Sequence, residues 1–443
     1  MRVTRVASMA VAAVVLAAGV SHLMIATAFA ADNAVIRANA AAGVAATKAC
    51  IAPIGNPFHE SRAYAMMHLA IHDALNAIDR KYQPYAYDKK AEPGTSADAA
   101  VAAAAYYVMS PTIQKLPAET LPKEGCVGNG IAVVEAAYVL ALAVIPDGPA
   151  KTQGIALGIA TAAAVLAKRA SDHADDGGPY INKTCPPAGP PGAYQCTPER
   201  PFVAFEKWAN VTPFVMQDNT QFRPVPPYKV DDAKFKADLE EVKKIGGDGK
   251  TTPSTRTPDQ SEIALFWLES SPLKWSRIGR TVAADKGLDM WESARLFAIL
   301  EMGLADGYVA MSASKNHYPF WRPVTAIRAS GDASWTPFQV TPPNQDYPSG
   351  HAIEGGVGAE VLKQLIGTDQ VNFKDCGATL PAGSTCYDEK PVLRSYTSFT
   401  QAADENAISR VYVGFHFRNA TDEGTAYGRK IGERAATLLP AAK

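Results

Sequence analysis

Residues 289–323 read DMWESARLFAILEMGLADGYVAMSASKNHYPFWRP. Up to about residue 313 the apolar residues recur every three or four positions, a spacing that predicts a packed helix. The segment that follows contains two cations, Lys315 and Arg322, within the sequence KNHYPFWRP. The sequence therefore predicts a long helix that leads directly into a positively charged segment.

Most of the remaining chain shows the same helical pattern, and few segments alternate as strands do. Two long stretches rich in proline and glycine, 174–230 and 329–350, are predicted to cover surfaces or to shape a site. The predicted helices lie near residues 60–80, 98–110, 130–145, 153–171, 232–244, 258–270, 289–313, 351–366, 400–414 and 421–438.

A short pattern is repeated in two of these helices. Residues 61–65 read SRAYA and lead to Asp73, whereas residues 294–298 read ARLFA and lead to Asp306. In both copies an arginine precedes the aspartate by eleven positions, which places the two side chains on one helix face. One interpretation is a duplicated bundle in which only the second copy kept the chemistry, and the other is chance similarity between amphipathic helices. The first predicts an all-α fold of two helical bundles, 31–250 with covering loops and 251–443 with the active site.

The N-terminus has the layout of a secretory signal peptide. Arg2 and Arg5 precede an apolar run over residues 9–20, and residues 28–30 (AFA) offer a small-x-small cleavage site. Residues 1–30 are therefore predicted to be removed on export to the periplasm or the extracellular space. An uncleaved membrane anchor is the alternative.

The 443 residues have ordinary globular composition, with 47% hydrophobic and 20% charged residues. A net charge of −1 gives no overall attraction for nucleic acid or an anionic membrane, so anion binding requires a local cluster of cations. The apolar stretches 131–145 and 154–167 are predicted not to span a membrane, because Glu135 interrupts the first and the second is too short.

Six cysteines fit an exported chain in which disulfides form. The sequence alone does not select one pairing scheme. Proximity favours Cys185–Cys196 and Cys376–Cys386, which leaves Cys50–Cys126. The cysteines lack the spacing of a zinc site.

Three short segments carry the candidate chemistry: residues 315–323 (KNHYPFWRP), 347–351 (YPSGH) and 409–416 (SRVYVGFH). Arginine forks and a lysine ammonium match a tetrahedral oxyanion. A serine adds a hydroxyl, and a glycine lets the backbone approach closely. A helix predicted to begin near residue 351 adds free N–H groups and a favourable dipole. The candidate oxyanion-binding residues are Lys315, Arg322, Ser349, Gly350 and Arg410.

Two histidines complete the candidate site. His416 follows Arg410 by six positions, a little under two turns if the segment stays helical. Its neutral imidazole could attack or coordinate the central atom of the anion. His351 is then the natural acid–base, because its unperturbed pKa of ~6.5 can move across physiological pH. Each feature alone is commonplace, and the combination carries the interpretation.

In order and spacing the three segments resemble the motifs K-x6-RP, PSGH and SR-x5-H of one superfamily, that of the type-2 phosphatidic acid phosphatases and the vanadium haloperoxidases. The sequence FWRP at residues 320–323 and the chain length resemble the soluble haloperoxidase branch. The resemblance implies that the five oxyanion-binding residues hold vanadate, or phosphate in the same pocket. It also implies that His416 is the axial ligand of vanadium, that His351 is the acid–base and that Lys315 polarises the peroxide.

The leading hypothesis is a vanadate-dependent haloperoxidase that oxidises halide with hydrogen peroxide. The alternative is an exported acid phosphatase, in which His416 forms a phosphohistidine and His351 protonates the leaving alcohol of a phosphomonoester. A third reading is a noncatalytic oxyanion-binding protein. Small-molecule substrates, no nucleic-acid partner and a possible homo-oligomer are expected.

Two positions depart from the resemblance. Asn344 lies where chloro- and bromoperoxidases tend to carry Phe or His, and Ala420 lies where many relatives place an aspartate after the last motif histidine. Asp422 lies nearby and is the suggested substitute. Elsewhere, His68 and His72 lie four apart on a predicted helix, but a structural role is favoured because the sequence offers no evident third ligand.

Overall fold

The computed structural model describes residues 32–175 and 180–442, so the predicted signal peptide at 1–30 lies outside the described residues. Those residues form thirteen α-helices and two small sheets, which confirms the predicted all-α class. The helices are α1 (Ala34–Lys48), α2 (Pro57–Ile78), α3 (Ala97–Gln114), α4 (Cys126–Ala143), α5 (Pro149–Lys168), α6 (Ala233–Ile245), α7 (Pro258–Phe266), α8 (Ser271–Asp285), α9 (Met290–His317), α10 (Pro323–Ala329), α11 (Gly350–Ile366), α12 (Phe399–Tyr412) and α13 (Arg418–Ala436).

The two sheets are short antiparallel pairs in the connecting segments. Strand β1 (Ile181–Asn182) pairs with β2 (Val203–Ala204), and β3 (Phe373–Cys376) pairs with β4 (Leu393–Tyr396). The disulfides follow the pairing that proximity favours, namely Cys50–Cys126, Cys185–Cys196 and Cys376–Cys386.

Every predicted helix has a counterpart, whereas α1, α8 and α10 have no predicted one. Helix α8 was not predicted, although it buries several apolar residues, among them Trp275. It also carries Lys274 and Arg277, which both pair with Glu269 and Asp375 at distances of 2.5–2.9 Å. The helix therefore combines an apolar face with buried ion pairs.

Helix α9 runs through the core and delivers the first motif. It begins with a capping box, in which the side chains of Asp289 and Glu292 each accept from the other's backbone N–H. All residues from Ser293 to Lys315 except Arg295 are buried. Lys315 thus lies in the last turn of a helix that packing fixes along its length.

The helices α11 and α13 pack so closely that glycine is required where they cross. A Cβ atom built on Gly428 would lie 1.9 Å from the carbonyl oxygen of Ile353. This contact fixes α11, whose first residue is the motif glycine Gly350.

We expect Gly428→Ala to destabilise the fold by about 1–3 kcal/mol, because the two backbones must move apart to admit the methyl group. Urea unfolding measures the change. Gly128→Ala is the matched control, since Gly128 lies within a helix and nothing is within 4 Å of its added Cβ. The control should be neutral or slightly stabilising. Equal stability of the two variants would contradict the close-packing account.

The repeated aspartates play the same structural role. The Asp73 carboxylate accepts backbone N–H groups from three consecutive residues, Tyr85, Ala86 and Tyr87, at 2.7–2.8 Å. The Asp306 carboxylate accepts from Phe214, Val215 and Met216 at 2.6–2.8 Å. The repeated arginines differ, because Arg62 pairs with Asp172 and Arg295 donates to the Leu439 carbonyl. The similarity of the two helices therefore extends to how each aspartate fixes a loop.

The two long proline- and glycine-rich stretches lie against the first motif and against each other. Tyr194 donates its backbone N–H to the Pro319 carbonyl, and the Trp321 N–H is donated to Gly192. The Ala204 N–H is donated to the Pro343 carbonyl. Such contacts fit the expectation that these loops shape a site.

Three described helices are long and apolar enough to cross a membrane by length and composition alone. Two of them, α4 and α5, are longer than the apolar stretches recognised in the sequence. In the third, α9, the apolar 18-residue window is completely buried within the protein. The absence of a membrane span and the domain boundary at residue 250 both stay predictions.

Candidate functional site

The three motif segments converge on one buried cluster. Lys315 ends α9, Arg322 immediately precedes α10, Ser349 immediately precedes α11, Arg410 lies in the last turn of α12, and His416 lies between α12 and α13. All five side chains lie inside the protein, since each residue is at most 5% exposed.

The first two cations are held by backbone carbonyls of the segment before the second motif. The Lys315 ammonium donates to the carbonyls of Gln345 and Asp346. The Arg322 guanidinium donates to the Asn344 carbonyl and to Asn344 Oδ1, both at 2.7 Å, and to the Phe415 carbonyl at 2.8 Å. Asn344, noted in the sequence only as a departure, therefore orients Arg322.

The third cation is oriented from the opposite side. Arg410 Nε donates to Ser409 Oγ at 2.9 Å, and its Nη2 donates to the Trp267 carbonyl at 2.8 Å. The serine of the third motif thus orients the arginine beside it.

The cations repel one another inside the protein. Burial and the nearby Arg322 lower the pKa of Arg410 to about 9 and hold the pKa of Lys315 well below its usual range. Two arginines and a lysine share this region with one buried carboxylate, that of Asp346. A bound oxyanion would relieve the repulsion, because opposite charge stabilises the protonated forms.

His416 does not continue the helix of Arg410. Helix α12 ends at Tyr412, and Gly414 adopts a left-handed backbone conformation with φ of 82°. The backbone N–H groups of Phe415 and His416 then both return to the Arg410 carbonyl. The condition for a spacing of a little under two helical turns, a segment that stays helical, is therefore not met, because the helix ends before a glycine turn.

Both nitrogens of the His416 ring face charged groups. Nε2 lies 2.9 Å from Arg322 Nη1, which is 3.4 Å from Nδ1. Nδ1 lies 3.0 Å from Asp346 Oδ1. Burial and the neighbouring Arg322 and Lys315 hold the pKa of His416 well below its usual range, so its ring is neutral.

His351 lies at the first turn of α11 and is partly exposed. Its Nε2 lies 3.1 Å from the Glu269 carbonyl, so a neutral ring donates from Nε2 and keeps its lone pair on Nδ1. Burial and Arg410 lower the pKa of His351 to about 3, well below the unperturbed value. Glu269 is itself fixed by its ion pairs with Lys274 and Arg277.

Ser349 and Gly350 form the start of α11. Ser349 makes no side-chain cap to the helix, and its buried Oγ has no partner among the residues that the structure describes. An added Cβ at Gly350 would lie 2.5 Å from Met311 Sδ. The hydroxyl and the helix N-terminus therefore remain available to an anion.

Asp346 is the residue that the sequence interpretation missed. The signal in the sequence was an acidic side chain three residues before Ser349, next to the second motif. The suggested substitute Asp422 instead lines an open groove with Asp404 and Arg429. The carboxylate in contact with His416 is that of Asp346.

The other sequence candidates have structural partners. His68 Nε2 lies 2.8 Å from the Asn39 amide, and His72 Nε2 lies 3.0 Å from the Gln83 carbonyl. His317 is exposed and stacks edge-on against Tyr318.

Comparison with known proteins shows which proteins this chain is similar to. Residues 295–441 match the model of the VCPO second helical-bundle domain. A curated relative, the vanadium chloroperoxidase of Curvularia inaequalis, is 23% identical over 83% of this chain and 75% of its own length. The matched residues 295–441 include all three motif segments.

Solved structures share the fold of this chain over most of its length. A bacterial vanadium-dependent iodoperoxidase superposes with a TM-score of 0.73 and 23% identity, covering 91% of this chain and 95% of its own. An apo-type bacterial vanadium-dependent chloroperoxidase superposes with a TM-score of 0.69 and 15% identity, covering 87% of this chain and 95% of its own.

Proposed function

We propose that this protein is a vanadate-dependent haloperoxidase, which oxidises halide with hydrogen peroxide. The observation that carries the proposal is the buried cluster of Lys315, Arg322 and Arg410 around His416, with the free hydroxyl of Ser349. This donor set suits a tetrahedral oxyanion of several negative charges. The names of the relatives support vanadate as that anion.

Each residue has a defined task in this proposal. Lys315, Arg322 and Arg410 balance the charge of vanadate, while Ser349 Oγ and the Gly350 N–H donate to its oxygens. His416 Nε2 is the ligand to the metal. Bound vanadate would supply a Lewis-acidic centre that activates hydrogen peroxide without a change of metal oxidation state.

Proton transfer falls to His351. Its ring is neutral in the free site and keeps a lone pair on Nδ1, because Nε2 donates to the Glu269 carbonyl. It can therefore accept a proton from peroxide first and return a proton later. A bound anion would raise the pKa of His351 from about 3 towards neutrality.

Phosphomonoester hydrolysis is the second candidate, because the same cations suit phosphate. The contact of Asp346 with His416 Nδ1 would also support an imidazole nucleophile. We further propose that the enzyme is exported, since its three disulfides favour an oxidising compartment.

The test is to prepare vanadate-free protein and to measure halide oxidation and phosphomonoester hydrolysis as orthovanadate is added. We expect peroxidase activity to appear with vanadate. Inhibition of hydrolysis with no peroxidase activity towards iodide, bromide or chloride would contradict the proposal and favour the phosphatase.

His351→Ala separates either enzyme from a noncatalytic anion-binding protein. We expect turnover to fall about 100-fold or more, as for loss of a general acid–base, while vanadate still binds. Steady-state rates and vanadate titration measure the two effects. Unchanged turnover in His351→Ala would mean that His351 is not the acid–base.

A further inference from the structure

Asp346 is buried against the imidazole of the third motif. It is 1% exposed, its Oδ1 lies 3.0 Å from His416 Nδ1, and neither carboxylate oxygen has a hydrogen-bond partner of good geometry among the described residues. Two hydrogen bonds fix its backbone. The Asp346 N–H donates to the Phe320 carbonyl, and the Lys315 ammonium donates to the Asp346 carbonyl. A carboxylate held this firmly beside one ring nitrogen can determine where the ring carries its proton.

The contacts of the two ring nitrogens favour one tautomer. A guanidinium has only donors, and Arg322 Nη1 lies 2.9 Å from Nε2 but 3.4 Å from Nδ1, so the shorter contact favours a lone pair on Nε2. A neutral ring then carries its proton on Nδ1, which lies 3.0 Å from the Asp346 carboxylate. The lone pair of Nε2, which faces Arg322 in this structure, is the one that an electrophilic centre would engage.

We infer that Asp346 is the positioning residue that holds His416 in the Nδ1–H tautomer and so presents Nε2 to the oxyanion. The identity of the anion as vanadate rests on the proposed function, whereas the contact between Asp346 and His416 is a feature of the structure.

A simpler role for Asp346 is to balance charge. Lys315 and Arg322 both lower the pKa of its carboxyl, although burial raises that pKa to about 7. If charge balance were its only role, Asp346→Asn would make the site more positive and tighten the binding of every anion. A tautomer role makes a different prediction, because only an anion that bonds to Nε2 depends on the ring.

The first measurement is made on the wild-type site, and a variant serves only to assign the signal. Imidazole nitrogen NMR of the vanadate-free, histidine-labelled protein reports which nitrogen of His416 carries the proton, with the resonance assigned by its loss in His416→Gln. We expect the Nδ1–H form. A predominant Nε2–H form would overturn the inference.

The second measurement compares vanadate and inorganic phosphate affinities of Asp346→Asn. The amide can donate to Nδ1 and so permits the Nε2–H tautomer. We expect vanadate to bind about 10–100-fold more weakly, the usual effect of losing such a partner, and phosphate to bind equally or more tightly. Asp346→Glu should restore part of the vanadate affinity, and Asp238→Asn is a control for loss of a nearby carboxylate.

The outcomes separate the two claims. Equal tightening of both anions, or an unchanged vanadate affinity in Asp346→Asn, would overturn the positioning role. A failure of the wild-type protein to show peroxidase activity would instead contradict the proposed function, while the NMR experiment still decides the tautomer.

Discussion

Replacing His416 by alanine is expected to abolish halide oxidation, with a loss in kcat/KM of about 1000-fold or more. Such losses follow removal of the group that bonds to the reacting centre. The cations should remain in place, because Arg322 and Arg410 are held by Asn344 and by the Trp267 carbonyl. Inorganic phosphate should therefore still bind to the variant.

The matched control is His317→Ala, which removes an exposed histidine of the first motif. We expect its turnover to stay near that of the wild-type protein. Steady-state halide oxidation with saturating vanadate and peroxide measures both variants. Activity in His416→Ala close to the control would contradict the assignment of the metal ligand.

The sequence predicted the parts of the site that lie in recognisable motifs. The three cations Lys315, Arg322 and Arg410 could be proposed because their residue types and spacing are visible in the sequence. The structure places them near both histidines. The start of α11 was also predicted to within a residue, because Pro348 and Gly350 mark a turn into an apolar helical segment.

The missing parts depend on contacts between distant segments. Asp346 meets His416 across 70 positions, and no periodicity encodes such a meeting. The Glu269 carbonyl reaches His351 only because Lys274 and Arg277 hold its own residue inside the protein. Burial of charge by long-range pairing is invisible to patterns that equate polar residues with the surface.

The second large effect concerns two carboxyls far from the motifs. Glu60 on α2 and Glu301 on α9 are both completely buried. Glu60 accepts from the Tyr64 hydroxyl at 3.0 Å, and Glu301 accepts from Ser276 Oγ at 2.5 Å. Burial raises the pKa of each to about 8, and the nearby Glu60 further raises the pKa of Glu301.

These shifts make the protein less stable as pH rises through the neutral range. In the unfolded chain the carboxyls lose their protons near pH 4.5, whereas the folded protein keeps them to about pH 8. The stabilisation from these two protonated carboxyls is complete below pH 4.5. It decreases as pH rises and is fully lost above about pH 8. Between the two, each carboxyl lowers the free energy of unfolding by about 1.4 kcal/mol per pH unit.

We therefore expect the free energy of unfolding of Glu301→Gln to exceed that of the wild-type protein by an amount that grows with pH between pH 5 and pH 8. At about 1.4 kcal/mol per pH unit, the difference reaches several kcal/mol at the upper end of this range. The amide cannot ionise and can still accept from Ser276. Urea unfolding across this range measures the difference between the two proteins, and the exposed Glu240→Gln serves as the control. A difference that does not change with pH would mean that Glu301 is already ionised in the fold, because only a carboxyl that stays protonated until unfolding couples stability to pH in this direction.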